Sequence, residues 1–544
     1  MRRLRKAMRL LICSGGIATG LLLSSMASFA AANDADVSTD LGAVRGIERN
    51  GALEFRGIPY AAPPAGALRW RGPQPARSWS GVRDASKFGS ACPQLHRFGL
   101  TDESLDEDCL TLNVSVPASA GRAAKHPVLV WIHGGAFVGG SSNLYRLDKL
   151  AREGDLVVVS INYRLGVLGF MPHPAFDADD NGAYGLEDQR AALRWVQRNI
   201  GAFGGDARNV TIAGESAGAG SICMHMVSPD AMRGLFAKAI IMSGGCLQPM
   251  PSVAGAAADI GERVAAAVGC SDQRAALACL RRTPLQALLQ AGDELSKTRL
   301  LTFAPSVGSK FLPRQAGEAL RAGEFLRVPA LVGGARDELR LYIGYEEQAG
   351  RHVTRANYAE KVAGYYGDLA PKVLAEYPLP EDASPPAYLG SLLSDYIPFV
   401  GISNCLYLAT ASSMTRYSPV YEFEFSDPDA PVLGVGMAAQ PDPHFPLGAV
   451  HSAMLNYLFP HMSNTAKIDA PDLPAPSQRL SDSMVTLWAQ FAAAGVPAAP
   501  GVPAWPRYAG EAEVMRLEPG RIGIFDAAAA HRCGFWRGLF ADRL

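Results

Sequence analysis

The chain has no surplus of either charge: 51 Lys and Arg stand against 52 Asp and Glu, a formal net charge of −1. A protein that grips a phosphate backbone needs a basic excess, so no nucleic-acid partner is expected. Charged residues are only 19% of the 544 and hydrophobic residues are 48%, which excludes a disordered chain or a coiled coil. There is no internal repeat, no flexible Gly/Ser or Pro-rich linker and no low-complexity block after Asn33. One stretch near the start stands out as apolar, and no later run is long and apolar enough to cross a bilayer. What is present is the composition of a large, core-rich protein.

The exceptional stretch, Leu10 to Leu23, follows Arg2, Arg3, Arg5, Lys6 and Arg9 with no acidic residue among them. Small residues come next, Ser28-Phe29-Ala30 and Ala30-Ala31-Ala32. A cationic end, a short apolar middle and a small-residue exit read as a secretory signal peptide over residues 1–32. The apolar run falls short of the ~20 residues of a membrane span, so no stable membrane anchor is expected. Removing the signal leaves 46 basic against 52 acidic residues, near −6. The mature protein, residues 33–544, is expected to be secreted or periplasmic.

Export permits disulfides. Of nine cysteines, Cys13 lies in the signal and eight remain, which allow 105 pairings. Cys92 and Cys109 flank a polar, acidic loop, and Cys270 and Cys279 are near neighbours in another; both pairs suit local staples. Cys223 sits in an apolar, helix-like run and reads equally well as a buried thiol.

Strand-length apolar runs alternate with helix-period segments. The strongest are Val128 to Ile132, Leu156 to Ile161, Val210 to Ala213, Ala239 to Met242 and Ala330 to Val332. Their unbroken character predicts burial on both faces, as in a parallel sheet covered by helices. Val420 to Phe425 alternates instead, which predicts an edge strand. Leu186 to Ile200 has helical spacing, with Leu193, Trp195, Val196 and Ile200 on its apolar side. From about Pro249 to Leu408, Ala- and Leu-rich helices surround the single strand at Ala330, which reads as insertions into one domain.

Gly214-Glu215-Ser216-Ala217-Gly218 lies where the third strand meets a helix-forming run. Such a turn reverses the chain sharply enough to display its serine above a sheet, and the helix start offers amides to a developing negative charge. His133-Gly134-Gly135-Ala136-Phe137 follows the first strong strand and suits an oxyanion hole, with donors at Gly135, Ala136 and Ala217. In this arrangement the acid and then the base follow the serine. His444 and His451 both qualify by spacing beyond the strand ending at Phe425. Asp337 and Glu338 both follow the strand at Ala330, and at least one is expected to be a solvated loop carboxylate.

These residues resemble the type-B carboxylesterases, the para-nitrobenzyl-esterase branch of the cholinesterase-like α/β hydrolases. Further marks are Phe55-Arg56-Gly57-Ile58-Pro59-Tyr60-Ala61, Glu107-Asp108-Cys109-Leu110-Thr111-Leu112-Asn113, Asn162-Tyr163-Arg164-Leu165-Gly166 and Phe203-Gly204-Gly205-Asp206. The resemblance spans essentially the whole mature chain. It implies the α/β-hydrolase fold: a large, mostly parallel sheet with helices on both faces and helical insertions over the active-site face. It implies Ser216 as nucleophile, Glu338 as acid, His451 as base, and Gly135, Ala136 and Ala217 as the oxyanion amides. It implies Ser243 as a hydroxyl bracing the acid, and pairs Cys92 with Cys109, Cys270 with Cys279 and Cys405 with Cys533.

The chain departs from the family pattern where Leu339 replaces the Gly after the acid, and where Met454 replaces a Glu three residues past the base. The loop between Cys92 and Cys109 lacks Trp, so choline esters are not expected. The expectation is a secreted serine carboxylesterase, monomeric, acting on small neutral esters without cofactor or metal. An amidase or thioesterase with the same triad, or a non-catalytic cholinesterase-like binding protein, are the competing readings.

Overall fold

The computed structural model describes residues 35–95, 103–119, 125–297, 301–432, 443–465, 468–469, 472–510 and 512–544. The expected signal peptide, residues 1–32, lies outside them. Ala35–Leu544 clusters as one compact unit.

Eleven strands form the main sheet. In chain order they begin with β1 (Ile47–Arg49), β2 (Ala52–Pro59), β3 (Thr111–Pro117) and β4 (His126–Ile132). The middle strands are β5 (Val157–Ile161), β6 (Gly205–Glu215), β7 (Lys238–Met242) and β8 (Ala330–Ala335). The last are β9 (Val420–Phe425), β10 (Val514–Leu517) and β11 (Gly523–Phe525). Across the sheet they lie in the order β11-β10-β9-β8-β7-β6-β4-β5-β3-β2-β1. Every neighbouring pair from β5 to β10 is parallel, and antiparallel pairs occur only toward the two edges.

The unbroken apolar runs have the predicted cause. Along β4, Val128, Val130 and Ile132 join one core with Leu193, Trp195 and Val196 of α1 (Tyr184–Asn199). Leu129 and Trp131 point to the other face and join Phe459 and Trp488. Trp488 belongs to a 20-residue helix, Ala475–Ala494, which covers that face. Alternate residues thus enter two different cores, so no position from 128 to 132 is left for a polar side chain.

The edge position expected for Val420 to Phe425 is not found: β9 lies between β8 and β10, and all six of its residues are buried. Its alternating glutamates face the interior rather than water. His531, from the C-terminal segment, stands between Glu424 and Asp395, with Nε2 2.5 Å from Glu424 and Nδ1 2.6 Å from Asp395. Burial opposes the imidazolium, but the two carboxylates outweigh it and hold His531 up at about 10. Glu422 is pushed well above the usual carboxylate range by burial, which keeps it neutral in the core.

Among the described residues four disulfides are formed: Cys92–Cys109, Cys223–Cys246, Cys270–Cys279 and Cys405–Cys533. Cys223 is therefore not a free thiol; it ties α2 (Ala217–Met226) to the segment after β7. In the Asn162-Tyr163-Arg164 stretch, Arg164 is buried and forks onto Asp188 of α1. Its Nε and one terminal nitrogen each lie 2.7 Å from a carboxylate oxygen.

Candidate active site

The site is built on the turn from β6 to α2. Ser216 has φ 57° and ψ −122°, a region L-residues rarely occupy, and its amide donates to Met242 O at 2.9 Å. The sharp turn is possible because a glycine stands two residues away on either side. A Cβ on Gly218 would lie 2.0 Å from Ile132 O, and one on Gly214 would lie 2.7 Å from the Gly218 main chain. The turn can thus press against the end of β4 only with these two residues.

His451 comes from the long connection after β9, and its Nε2 lies 3.0 Å from Ser216 Oγ. Its Nδ1 lies 2.6 Å from Glu338 Oε2. The structure thereby separates the two histidines that spacing leaves equal: His451 is at the serine, and His444 is exposed. The remaining downstream histidines are engaged elsewhere, His225 with Gln189, His352 with Glu347, His461 with Asp472 and His531 as described.

Glu338 follows β8 and is fully buried. Its Oε1 accepts from the Ala335 amide at 2.8 Å and from the Tyr407 hydroxyl at 3.0 Å. Tyr407 lies on α5, numbered after α3 (Arg340–Gln348) and α4 (Pro385–Asp395), and spanning Asn404–Thr415. Ser243, expected to brace the acid, is buried on the pocket wall, but its hydroxyl has no hydrogen-bond partner among the described residues. The bracing hydroxyl is that of Tyr407, which no local sequence signal marks. Asp337 is also buried, 3% exposed, so the expectation of a solvated carboxylate in this pair fails for both residues. Leu339, in place of the usual Gly, has φ −86° and needs no left-handed backbone.

A second carboxylate adjoins the imidazole. Glu215 Oε1 lies 3.3 Å from His451 Nε2 and accepts the Ser452 hydroxyl at 2.7 Å. Burial raises the Glu215 carboxyl, with His451 and Ser452 working the other way. For His451, burial disfavours the charged ring, but Glu215 and Glu338 outweigh it and raise the imidazole to about 9. A hydroxyl, an imidazole and a buried carboxylate in this series can accept, hold and return a proton.

Gly135, Ala136 and Ala217 line the same pocket as Ser216 and His451. The loop that carries the first two is fixed from behind. His133 Nδ1 sits 2.8 Å from Gly134 O, the Tyr163 hydroxyl donates to His133 O at 2.7 Å, and Gln94 bonds both main-chain groups of Gly140. Burial lowers His133 to about 4, so its ring is neutral. The pocket, with the solvent space at its mouth, spans about 1070 Å³, and its walls include Phe137, Met250, Leu341, Val400, Ile402 and Leu455. Glu215 and His451 are its only Asp, Glu, Lys, Arg or His lining residues among those described. Among the described residues, no group of three or more His, Cys, Asp and Glu side chains is arranged to hold a metal ion.

A mostly parallel sheet with β4 and β5 exchanged in order, and a sharp strand-to-helix turn presenting a serine, define an α/β hydrolase. Residues 33–536 match the Carboxylesterase family, and the chain belongs to that family. It is 34% identical to the para-nitrobenzyl esterase of Bacillus subtilis (strain 168), over 87% of this chain and 92% of that one. It is 32% identical to the human (Homo sapiens) cocaine esterase, over 91% of this chain and 88% of that one. A solved PNB esterase structure superimposes with a TM-score of 0.73 at 31% identity, covering 92% of this chain and 99% of that chain. The protein is a carboxylic ester hydrolase.

Proposed function

We propose that the protein is an exported serine carboxylesterase that cleaves small neutral esters through a Ser216–His451–Glu338 triad. The observation that carries this reading is the continuous series from Ser216 Oγ to His451 at 3.0 Å and from His451 to Glu338 at 2.6 Å. Ser216 Oγ attacks the ester carbonyl carbon as His451 Nε2 takes its proton. The oxygen that becomes negative is met by the amides of Gly135, Ala136 and Ala217. The intermediate collapses, the alcohol leaves with the proton from Nε2, and an acyl-enzyme remains on Ser216. Water then attacks the acyl carbon, giving its proton to Nε2, and the carboxylic acid departs as Ser216 regains its hydrogen.

The preference for neutral esters is supported by the pocket, whose wall is apolar apart from hydroxyls, an amide, Glu215 and His451. Met454, where relatives of this pattern carry Glu, is buried and adds no charge there. Export is supported by the signal-like start of the sequence, and four disulfides are consistent with an oxidising compartment. Among the described residues, no helix is long and apolar enough to cross a membrane.

The test is Ser216→Ala assayed on a short aryl ester, with labelling by a neutral organophosphonate. Turnover is expected to fall roughly 10³–10⁶-fold with the fold intact, and labelling to vanish. Near-native turnover by Ser216→Ala would refute the reading.

A further inference from the structure

Asp337 stands beside the proposed acid, yet its hydrogen bonds go to the chain segment that carries the imidazole. Its main-chain N–H donates to Ala449 O at 2.9 Å, and the Ala449 N–H donates back to Asp337 Oδ2 at 3.1 Å. Two residues on, the His451 N–H reaches Glu338 O at 3.3 Å. The two loops are therefore laced together over three consecutive contacts, and the base sits at the end of the lacing.

The Asp337 carboxylate is itself held from two sides. Arg336 donates to Oδ2 with Nε and a terminal nitrogen at 3.0 and 2.8 Å, and Arg340 Nε lies 3.3 Å from Oδ1. Arg340 also donates to Pro446 O at 3.3 Å, a second grip on the same loop. Gly448 has φ 71°, and a Cβ there would come within 2.5 Å of Asp337 Oδ2. The loop can approach this closely only with glycine at that position.

We propose that Asp337 is a positioning residue for ester cleavage, anchoring residues 446–451 to the acid loop and so setting where His451 meets Ser216. The inference rests on the triad reading. Without the carboxylate, the Ala449 amide loses its acceptor in a buried place, and the loop must shift or admit water to recover one. A displacement of about 1 Å at a reacting group costs about a hundredfold in rate. Substrate binding, which depends on the pocket walls, is left in place.

The test compares Asp337→Ala, Asp337→Asn and Ser216→Ala on one neutral aryl ester across pH. Asp337→Ala is expected to lose about 30- to 100-fold in kcat with KM within about threefold of wild type. The acidic limb of its kcat/KM profile is expected to move down in pH. The charged groups facing the ring are Glu215 and Glu338, with the Tyr342 ring of α3 6.0 Å away, and a displaced imidazole loses part of their influence. Asp337→Asn keeps a side-chain oxygen for the Ala449 amide and is expected to stay within about fivefold of wild type.

A folded Asp337→Ala enzyme with wild-type kcat and pH limb overturns the proposal, as does an Asn variant as slow as the Ala variant. If Asp337→Ala does not fold, Gly448→Ala decides, since it pushes the loop off an intact carboxylate. The same loss of kcat and shift of limb are then expected, and wild-type behaviour overturns the proposal. An active Ser216→Ala would instead show that the triad reading has failed, and separates the two.

Discussion

Ser452 donates its hydroxyl to Glu215 at 2.7 Å, joining the residue after the imidazole to the residue before the nucleophilic turn. Glu215 thus does two things: it ties the His451 loop to the turn, and its charge favours the protonated ring. The first ties down a loop that arrives from 235 residues away. The second has a measurable sign.

Glu215→Gln removes a charge that raises His451 and keeps an oxygen for Ser452. The acidic limb of kcat/KM is expected above the ordinary imidazole value near 6.5 in the wild type, and lower in the variant. A pH–rate profile of both enzymes on an uncharged ester measures this. An unchanged limb would remove Glu215 from the account of the base.

Tyr407→Phe deletes a hydrogen bond to Glu338, whereas Ser243→Ala deletes a hydroxyl without a partner among the described residues. A hydrogen bond to a charged group contributes about 1.5–3 kcal/mol, so Tyr407→Phe is expected to lower kcat/KM about tenfold or more. Ser243→Ala is expected to stay within about twofold, because removing an unpaired buried hydroxyl is close to neutral. Steady-state kinetics of the two single variants, side by side, decide the matter.

Asp188→Ala leaves the Arg164 guanidinium in the core without its counter-charge. Removing one partner of such a buried pair costs about 3–5 kcal/mol. The denaturant midpoint is expected to fall accordingly, with no change in slope. Replacement of both residues by apolar side chains should recover much of the loss.

His531 has a folded value near 10 against about 6.5 for a free imidazole. Because the folded value is the higher one, its stabilisation is complete below pH about 6.5 and is lost as pH rises through about 10. Thermal melting between pH 6 and 10 is expected to show falling stability in the wild type. The slope should flatten in His531→Gln, at a lower overall stability.

The frame was largely readable in the residues, because a strand buried on both faces is apolar over successive positions, as residues 128–132 of β4, 157–159 of β5 and 239–242 of β7 are. The turn at Ser216 was readable for a different reason: its glycines are dictated by contact with Ile132. Reading failed where a polar residue is satisfied from far away. Glu424 looked like the wet side of an edge strand because His531, 107 residues further on, cannot be foreseen as its partner, and Glu422 because burial, not a partner, keeps it neutral. Tyr407 reaches Glu338 across 69 residues, and Cys223 meets Cys246 through the packing of α2 on the sheet. His451 and His444 could be told apart only by likeness to known esterases, since spacing says how far a loop can reach and not where it stops. That neither Asp337 nor Glu338 is solvated has the same cause: a charged residue in a loop ordinarily meets water, and the partners that cover these two say nothing of themselves in the sequence.

The pocket wall between Pro249 and Leu408 is supplied by Met250, Leu301, Leu341, Tyr342, Tyr345, Val400 and Ile402, whereas the serine turn rests on β4, β6 and β7. Glu338, with Asp337 and Tyr407 beside it, is the part of the machinery that shares this stretch of chain; the rest is housed elsewhere. Directed evolution toward bulkier or longer esters has most freedom in those insertions, where a side chain can be exchanged while the foundation that carries the reaction keeps its form.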